Sequence, residues 1–585
     1  MAEYPFKDLL PIDEVLEREG YYKDWTHLDP EVFYSLTQIS EYIKTKGYGV
    51  DVRLLISQLA EHFGLKTTQV VDLANSLSTK HDDLKDQFDV IIRDATSGDD
   101  WGGEIVLARG DKPTLGDRLD DTTAQLAQAE LELMRTTQPL KFGELKMPDN
   151  FVPTLPFKLF RGGDGIVRHN FDFETLKTGR QIYVDKVNGT DLETSGGKSK
   201  PFKTILYAIN SMIATNWKDF TVRVLGDNAI FYRSEWLSAV GNVFENCQIS
   251  IVHDADKEFY LTMGEPGLVW TKDGTVYTTT RTNTYAMYDL INKDETGAPS
   301  PIPYVATVAE CRTTPNSWTT EGGVVYYNKV GVPPTETNTL VGVSATDAEI
   351  TLLNSRLFIE NATVLGSRRS NYGSLQSAVL RLIGDISGNT LTGKYFDHKC
   401  KYIGGDFVTE GELTGNGLET VDLKESYSFN SVGAYANRDG FNHHYSYIKI
   451  NNPSRVRECI GFQYQCVGYL NGTRDTKSNH NAFTSHEGAT VLRVGCVGYE
   501  TRGPVLADVG GCLSINIDCH MRDSLLPNRD TFQFEDYASG NGEAYLINCS
   551  GSGDARYSLW TDLPVYLNNF RGRTIYGASK VEYIE

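Results

Sequence analysis

The sequence predicts a mainly-β chain: a parallel β-helix carried behind an N-terminal α-helical and coiled-coil region. Three observations predict it. Five cysteines, Cys400, Cys466, Cys496, Cys519 and Cys549, sit inside similar short phrases, HKCKYIGGD, YQCVGYLNG, VGCVGYETRG, IDCHMRDS and INCSGSGD. Ser431 and Phe570 hold the same place in two more phrases, and successive steps are 31, 35, 30, 23, 30 and 21 residues. A loose repeat of this length is one supersecondary turn that must stack on its neighbours to bury its apolar face. Composition agrees, with 54 Gly, 32 Tyr and 25 Phe against only 20 Pro, as a Gly-turned, aromatic-rich β-protein requires. Before residue 139, by contrast, apolar residues recur at helical spacing.

In chain order, residues 1–65 read as a small helical docking domain, from PEVFYSLTQISEYI and VRLLISQLAEHF with Gly47 and Gly64 as stops. Residues 66–138 read as a coiled-coil stem in two segments. Val70, Ala74, Leu77, His81, Leu84, Phe88, Ile91 and Ala95 alternate steps of four and three, an a/d seam broken only by a polar His81 that would help fix register. Leu115, Leu119, Thr122, Leu126, Ala129 and Leu133 continue it. Two in-register coils predict an oligomer; a trimer suits the rest of the chain, while the seam itself leaves a dimer open. Residues 139–178 are Pro- and Gly-punctuated, an extended linker. Residues 179–585 are the β-helix, capped by a helix through Phe202, Ile205, Leu206, Ile209 and Met212 that plugs its open end. The GGKS before that helix is no phosphate loop, since Leu192 stands where the motif needs glycine. Thr/Val/Tyr-rich runs joined by DG and EGG turns predict a hairpin insertion around 265–345.

A formal net charge of −21 argues against a nucleic-acid partner or an anionic membrane surface. No stretch approaches the roughly 20 apolar residues of a membrane span, and the start, MAEYPFKDLL, shows no secretory h-region. Nine cysteines without a CxxC read as buried small hydrophobes rather than disulfides or metal ligands, which suits folding in a reducing cytoplasm. No cofactor is expected; a divalent metal has no motif behind it.

The order of docking segment, coiled coil, linker and capped β-helix resembles the tail fibres and tail spikes of bacteriophages, over most of the chain. IVLARGDKPTLGDRLDD resembles a phrase of tail proteins from phages of Gram-positive bacteria, and IYVDKVNGTD with KPFKTILYAI resembles the start of their pectin-lyase-like, right-handed β-helix. DGFNHH (439–444), SNHNAFTSHEG (478–488) and GPVLADV (503–509) are similar to a block in β-helical proteins of such phages. The resemblance implies a homotrimeric, virion-attached receptor-binding protein assembled in the host cytoplasm. Its N-terminus would face other baseplate or tail proteins, and its β-helix a host cell-wall glycopolymer, teichoic acid or capsular polysaccharide.

The chemistry-bearing stretch is rich in histidine: six of eleven lie between His398 and His520. Asp439 lies eight residues past Ser431 and Asp475 nine past Cys466. Equivalent positions on stacked rungs are about 4.8 Å apart, near the roughly 5 Å separation of a retaining glycosidase pair. If the chain is an enzyme, Asp439 and Asp475, with His443 or His486 as general base, are its catalytic candidates. Asn442, His444, His480, Glu487 and Asp508 are candidates for ligand contact. The same residues are also ordinary turn-formers that satisfy free backbone groups. Trp270, Trp318 and Tyr327, with Tyr277, Tyr285, Tyr288 and Tyr326, offer a second candidate surface, because exposed rings stack on sugar faces; packing of the hairpins onto the stack is the competing role. Attachment to a glycopolymer is the first reading, a polysaccharide or teichoic-acid depolymerase on the same fold the alternative, and a purely structural baseplate component the third.

Overall fold

The computed structural model describes residues 143–583, apart from 163, 239–241, 344–347, 367–376, 385–390, 405–414, 445–458, 473–479, 527–528, 537–541, 554–556, 573–574 and 578–580. The expected docking domain and coiled-coil seam, Val70, Leu77, His81, Leu84, Phe88, Ile91, Leu119 and Leu126 included, lie outside the described residues, as does Asp475. The described chain falls in two units. In the smaller, Gly143–Glu144 pairs antiparallel with Leu159–Arg161, and Arg168 grips Asp164 at 2.7 Å.

The larger unit is mainly β, and from Asp219–Leu225 to Val565–Asn568 its strands, the hairpin insertion apart, visit three long parallel sheets in rotation. Gly415–Val421, Glu425–Phe429 and Val432–Ala434 are followed by Phe441–His444, Ile460–Tyr464 and Val467–Tyr469, then by Phe483–His486, Thr490–Val494 and Val497–Tyr499. Each strand pairs with its counterpart one coil away. Among the described residues, sheet 1 (from Asn242–Glu245 to Leu559–Thr561) and sheet 3 (from Ile230–Phe231 to Ser550–Ser552) have nine strands, and sheet 2 (from Arg180–Asp185 to Val581–Tyr583) has twelve.

The corner between sheets 2 and 3 explains the cysteine phrases. Ala362, Cys400, Ser431, Cys466, Cys496, Cys519 and Cys549 occupy it on successive coils, all buried. The preceding residue is left-handed on every coil: Asn361, Lys399, Asn430, Gln465, Gly495, Asp518 and Asn548 have φ of 59, 54, 52, 49, 63, 54 and 58°. Such a bend favours Gly, Asn and Asp and needs a small buried side chain inside it. Each thiol donates to a carbonyl of the coil below: Cys466 to Ser428 (3.4 Å), Cys496 to Gln463 (3.4 Å), Cys519 to Arg493 (3.6 Å) and Cys549 to Asn516 (3.2 Å). Cys247, Cys459 and Cys512, which belong to no phrase of the repeat, stand at the other corner, each just before a sheet 2 strand.

The helix Ile205–Ala214, N-capped by Thr204, buries Ile205, Ala208, Ile209 and Met212 in the core of the first coils; Leu206 is only half-buried. Of the linker, residues 146–158 and 169–176 lie along the outside of sheet 2 as a strap. Phe157 meets Phe462 at 5.0 Å, Phe171 stacks on Phe429 at 5.5 Å, and Phe173 lies flat on His398 at 4.0 Å. The insertion forms two antiparallel sheets, one of four strands (Thr271–Asp273, Val276–Thr280, Val324–Tyr327, Trp318–Glu321) and one of three (Pro299–Pro301, Thr284–Lys293, Thr339–Val343). No helix among the described residues is long and apolar enough to cross a membrane.

Candidate functional site

The histidine block lies on sheet 1, where Phe441–His444, Phe483–His486 and Leu506–Val509 run side by side with His443, Ser485 and Asp508 in register. Side chains alternate between faces along a strand, so the block divides. Phe441, Phe483 and Leu506 point into the core, and His443, Ser485 and Asp508 share that inward face.

Inside the coil they meet a polar row from sheet 2, Asp397, Ser428, Gln463, Arg493 and Asn516, which are register partners. His443 Nδ1 bonds Thr420 Oγ1 at 2.7 Å and its Nε2 meets Gln463 at 3.3 Å. The Gln463 carbonyl accepts from Arg493 Nε (2.9 Å). Arg493 then forks onto Asp508 at 2.7 and 2.9 Å, with both side chains 0% exposed. Ser485 Oγ accepts from Arg493 (2.9 Å) and Ser514 Oγ donates to Asp508 (2.5 Å). Gly461 makes room for the imidazole, since a Cβ there would lie 2.7 Å from His443 Cδ2. His443 as a general base and Asp508 as a ligand contact are therefore corrected: both are sealed in an internal network that satisfies their polar atoms, where no polymer reaches.

The outward face carries the other half. One register row runs Glu349, Arg381, Glu419, Asn442, Thr484, Ala507, Gln533 and Trp560. Arg381 bridges Glu349 (3.2 Å) and Glu419 (3.3 Å). Asn442 Nδ2 donates to Asp439 Oδ2 (3.1 Å), and the Asn481 N–H of the next coil donates to Asp439 Oδ1 (2.9 Å). Asp439 is 4% exposed, and burial pushes its carboxyl above the usual range, against the pull of Arg438 and His480. Asn442 Oδ1 and Asn416 Nδ2, beside it, are buried without hydrogen-bond partners among the described residues. In the neighbouring row His444 and His486 meet edge to face at 5.6 Å, both half-buried. His480 is buried against Gly472, and Glu487 forms a left-handed bend (φ 62°) at the corner. The structure thus brings together Asp439, Asn442, His444 and His486 on one side of sheet 1. Asn442 and His480, however, each 2% exposed, are as closed to a polymer as Asp508, and those two ligand-contact candidates are corrected as well.

The aromatic surface is corrected too. Trp318 and Tyr327 are 0% and 1% exposed, and with Val325 and Val341 they form the core of the insertion. Trp270 is half-buried against Tyr327. Packing between antiparallel sheets claims these rings. Rings nearer solvent lie elsewhere: the half-buried Trp560, at the end of the outward row, is stacked parallel to Tyr576 (6.2 Å, 3°), which also stacks on the half-buried Tyr557 (5.4 Å). Tyr576 is 51% exposed, and beside it Gln533 bonds Glu535 at 3.1 Å. The only sequence signal for this platform was the closeness of two aromatic phrases, YSLW and RTIYG, after the last cysteine.

No protein-family model and no curated protein matches this chain. The chain has distant solved look-alikes. A protein titled as a glycoside hydrolase is 10% identical with a TM-score of 0.42, covering 69% of this chain and 96% of its own. XylC in complex with xylose is 10% identical, TM-score 0.30, with 64% and 75% covered. The GH136 lacto-N-biosidase of Eubacterium ramulus is 10% identical, TM-score 0.20, with 83% and 74% covered. These likenesses are too remote to assign an activity.

The internal network makes stability depend on pH. Burial, then the nearby Arg493 charge, pulls the His443 imidazole down to about 3. Burial likewise takes His486 to about 4, with His444 and Arg438 adding to it. In the unfolded chain a histidine titrates near 6.5. Between those values the unfolded state binds more protons, so this stability is complete above about pH 6.5 and is lost as pH falls. Asp397 has the opposite sign. Burial raises it to about 7, despite hydrogen bonds from Ser431 and Ser428, so its contribution is present below about pH 3.9 and lost as pH rises to 7. His443→Gln, which can still bond Thr420 and Gln463, is expected to flatten the acid limb of urea midpoints between about pH 6.5 and 4. An unchanged acid limb would show that His443 titrates alike in both states.

Proposed function

We propose that this chain is a homotrimeric bacteriophage tail fibre or spike that attaches the virion to a cell-wall or capsular glycopolymer of its host. Its body is proposed to be a right-handed parallel β-helix, the hand that parallel crossovers almost always take. One observation carries the reading: the outward row of sheet 1, buried through Glu419, Asn442 and Thr484, ends in the half-buried Trp560 beside the exposed Tyr576. Flat rings take the apolar face of a sugar, while Gln533 and Glu535 offer hydrogen bonds at its edge. Three such platforms on one trimer would raise avidity through effective concentration. The test is binding of the full chain to purified host cell-wall polymer. Trp560→Ala should weaken binding by at least about tenfold, on the scale of a lost stacking contact in a partly buried site. Equal binding by Trp560→Ala would move the contact off this face.

The depolymerase reading has its own observation. Asp439 keeps its proton more firmly than an ordinary carboxyl, beside Asn442, whose register partner is Glu419. Two carboxyl groups held in different environments are the arrangement that glycoside hydrolysis uses. At 4% exposure Asp439 meets solvent only at its edge, so binding is the first reading and cleavage the second. Chain shortening of the polymer by the native protein, lost in Asp439→Asn, would reverse that order; absence of shortening at high protein concentration rejects cleavage.

A further inference from the structure

A cavity of about 560 Å³ opens at the corner between sheets 1 and 2, under the strap and away from the Trp560 platform. Its floor is a ladder. Asn246 and Asn354 hold the left-handed bend on two successive coils (φ 52 and 47°). Asn354 Nδ2 donates to Asn246 Oδ1 at 2.7 Å, and the Asn354 N–H donates to Thr392 Oγ1 on the next coil at 2.9 Å. Along one wall, Gln248, Arg356, Lys394 and Glu425 stand in register on consecutive sheet 2 strands. Phe396 and, from the strap, Phe171 supply flat apolar surface.

The charges of this groove cancel locally. Lys394 is paired with Glu425 at 2.6 Å, and Arg356 feels the nearby Asp219 while donating to the Leu176 carbonyl at 3.0 Å. A polyanion would have to displace those partners. An apolar ligand would leave the amides and the buried Arg356 Nε, which has no hydrogen-bond partner among the described residues, without water or a substitute, at about 1–3 kcal/mol for each buried group. What fits is a ligand with many neutral donors and acceptors and an apolar flank, extended along rungs about 4.8 Å apart.

We infer that the groove bounded by Asn246, Gln248, Asn354 and Arg356 is a second binding site, for a neutral glycan segment. It goes beyond the proposed attachment function, since it lies on a different corner and needs neither Trp560 nor Asp439.

The experiment uses the full-length protein and saturation-transfer NMR with neutral probes, chitotetraose, maltotetraose and cellotetraose, and inorganic phosphate as the anionic control. Asn354→Gly removes the amide yet keeps a residue that tolerates positive φ, and Gln248→Ala alters an exposed side chain, so neither should disturb folding. We expect at least one tetrasaccharide to bind, each variant to weaken it about five- to tenfold, as loss of one hydrogen-bonding group does, and Trp560→Ala to leave it unchanged. Binding of phosphate alone, binding of none of the probes, or tetrasaccharide binding that survives both groove variants would overturn the inference. Loss of binding in Trp560→Ala alone would overturn it while supporting the platform.

Discussion

Arg493→Ala is expected to destabilise the coil by about 3–5 kcal/mol, because it leaves Asp508 buried and unpaired. The guanidinium holds five polar side chains from two facing sheets, Gln463, Ser485, Asp508 and Asn516 directly and Ser514 through Asp508. All five are buried. The pair itself need not be a net gain, since desolvating two charges offsets much of their attraction. The double replacement Arg493→Met with Asp508→Leu should therefore recover most of the loss. Urea midpoints of the three proteins measure both statements; a single variant within about 0.5 kcal/mol of the native protein, the range of ordinary surface changes, would mean that solvent enters the coil.

Phe429→Ala should cost about 3–5 kcal/mol as a large-to-small change at a buried ring, and its second effect is more diagnostic. Phe429 is fully buried and touches Phe157, His169, Phe171 and Phe173 of the strap, as well as Phe462 and Tyr464 of its own sheet. Truncating it removes the one ring common to all four strap contacts. Limited proteolysis should then cut within residues 146–176 well before the coil unfolds. Cleavage at the native rate would show that the strap is held by something other than these aromatic contacts.

The coil was legible in the sequence because one corner makes the same demand on every turn. A left-handed bend followed by a small inward side chain leaves a phrase such as IDCH or INCS wherever it occurs, and irregular loops cannot erase it. The second corner was less legible: Cys247, Ser355, Cys459, Ala489 and Cys512 fill it, but their residue types vary and no fixed phrase surrounds them. The candidate site was misjudged for a simpler reason. In DGFNHH, proximity along the chain suggested one cluster, yet a strand sends Asn442 and His444 to one side and Phe441 and His443 to the other. Reading that period would have placed His443 inside. Arg493, flanked by apolar residues in TVLRV, then marks a buried charge in need of a partner, and Asp508 in LADV shares the inward parity. The Trp318 and Tyr327 rings misled because a hairpin insertion has a core of its own. The Trp560 platform depends on a contact with Tyr576 that no local pattern announces.

The measurement closest to the centre of this account is thiol reactivity. All nine cysteines are free and buried, eight of them at coil corners and Cys311 within the insertion. A thiol-specific chromogenic reagent added to the native protein should find almost no reactive groups, and the same reagent in denaturant should find nine. Rapid labelling of Cys466, Cys496 or Cys519 in the folded protein, or fewer than nine thiols after unfolding without reductant, would contradict the stacked corners on which every assignment above depends.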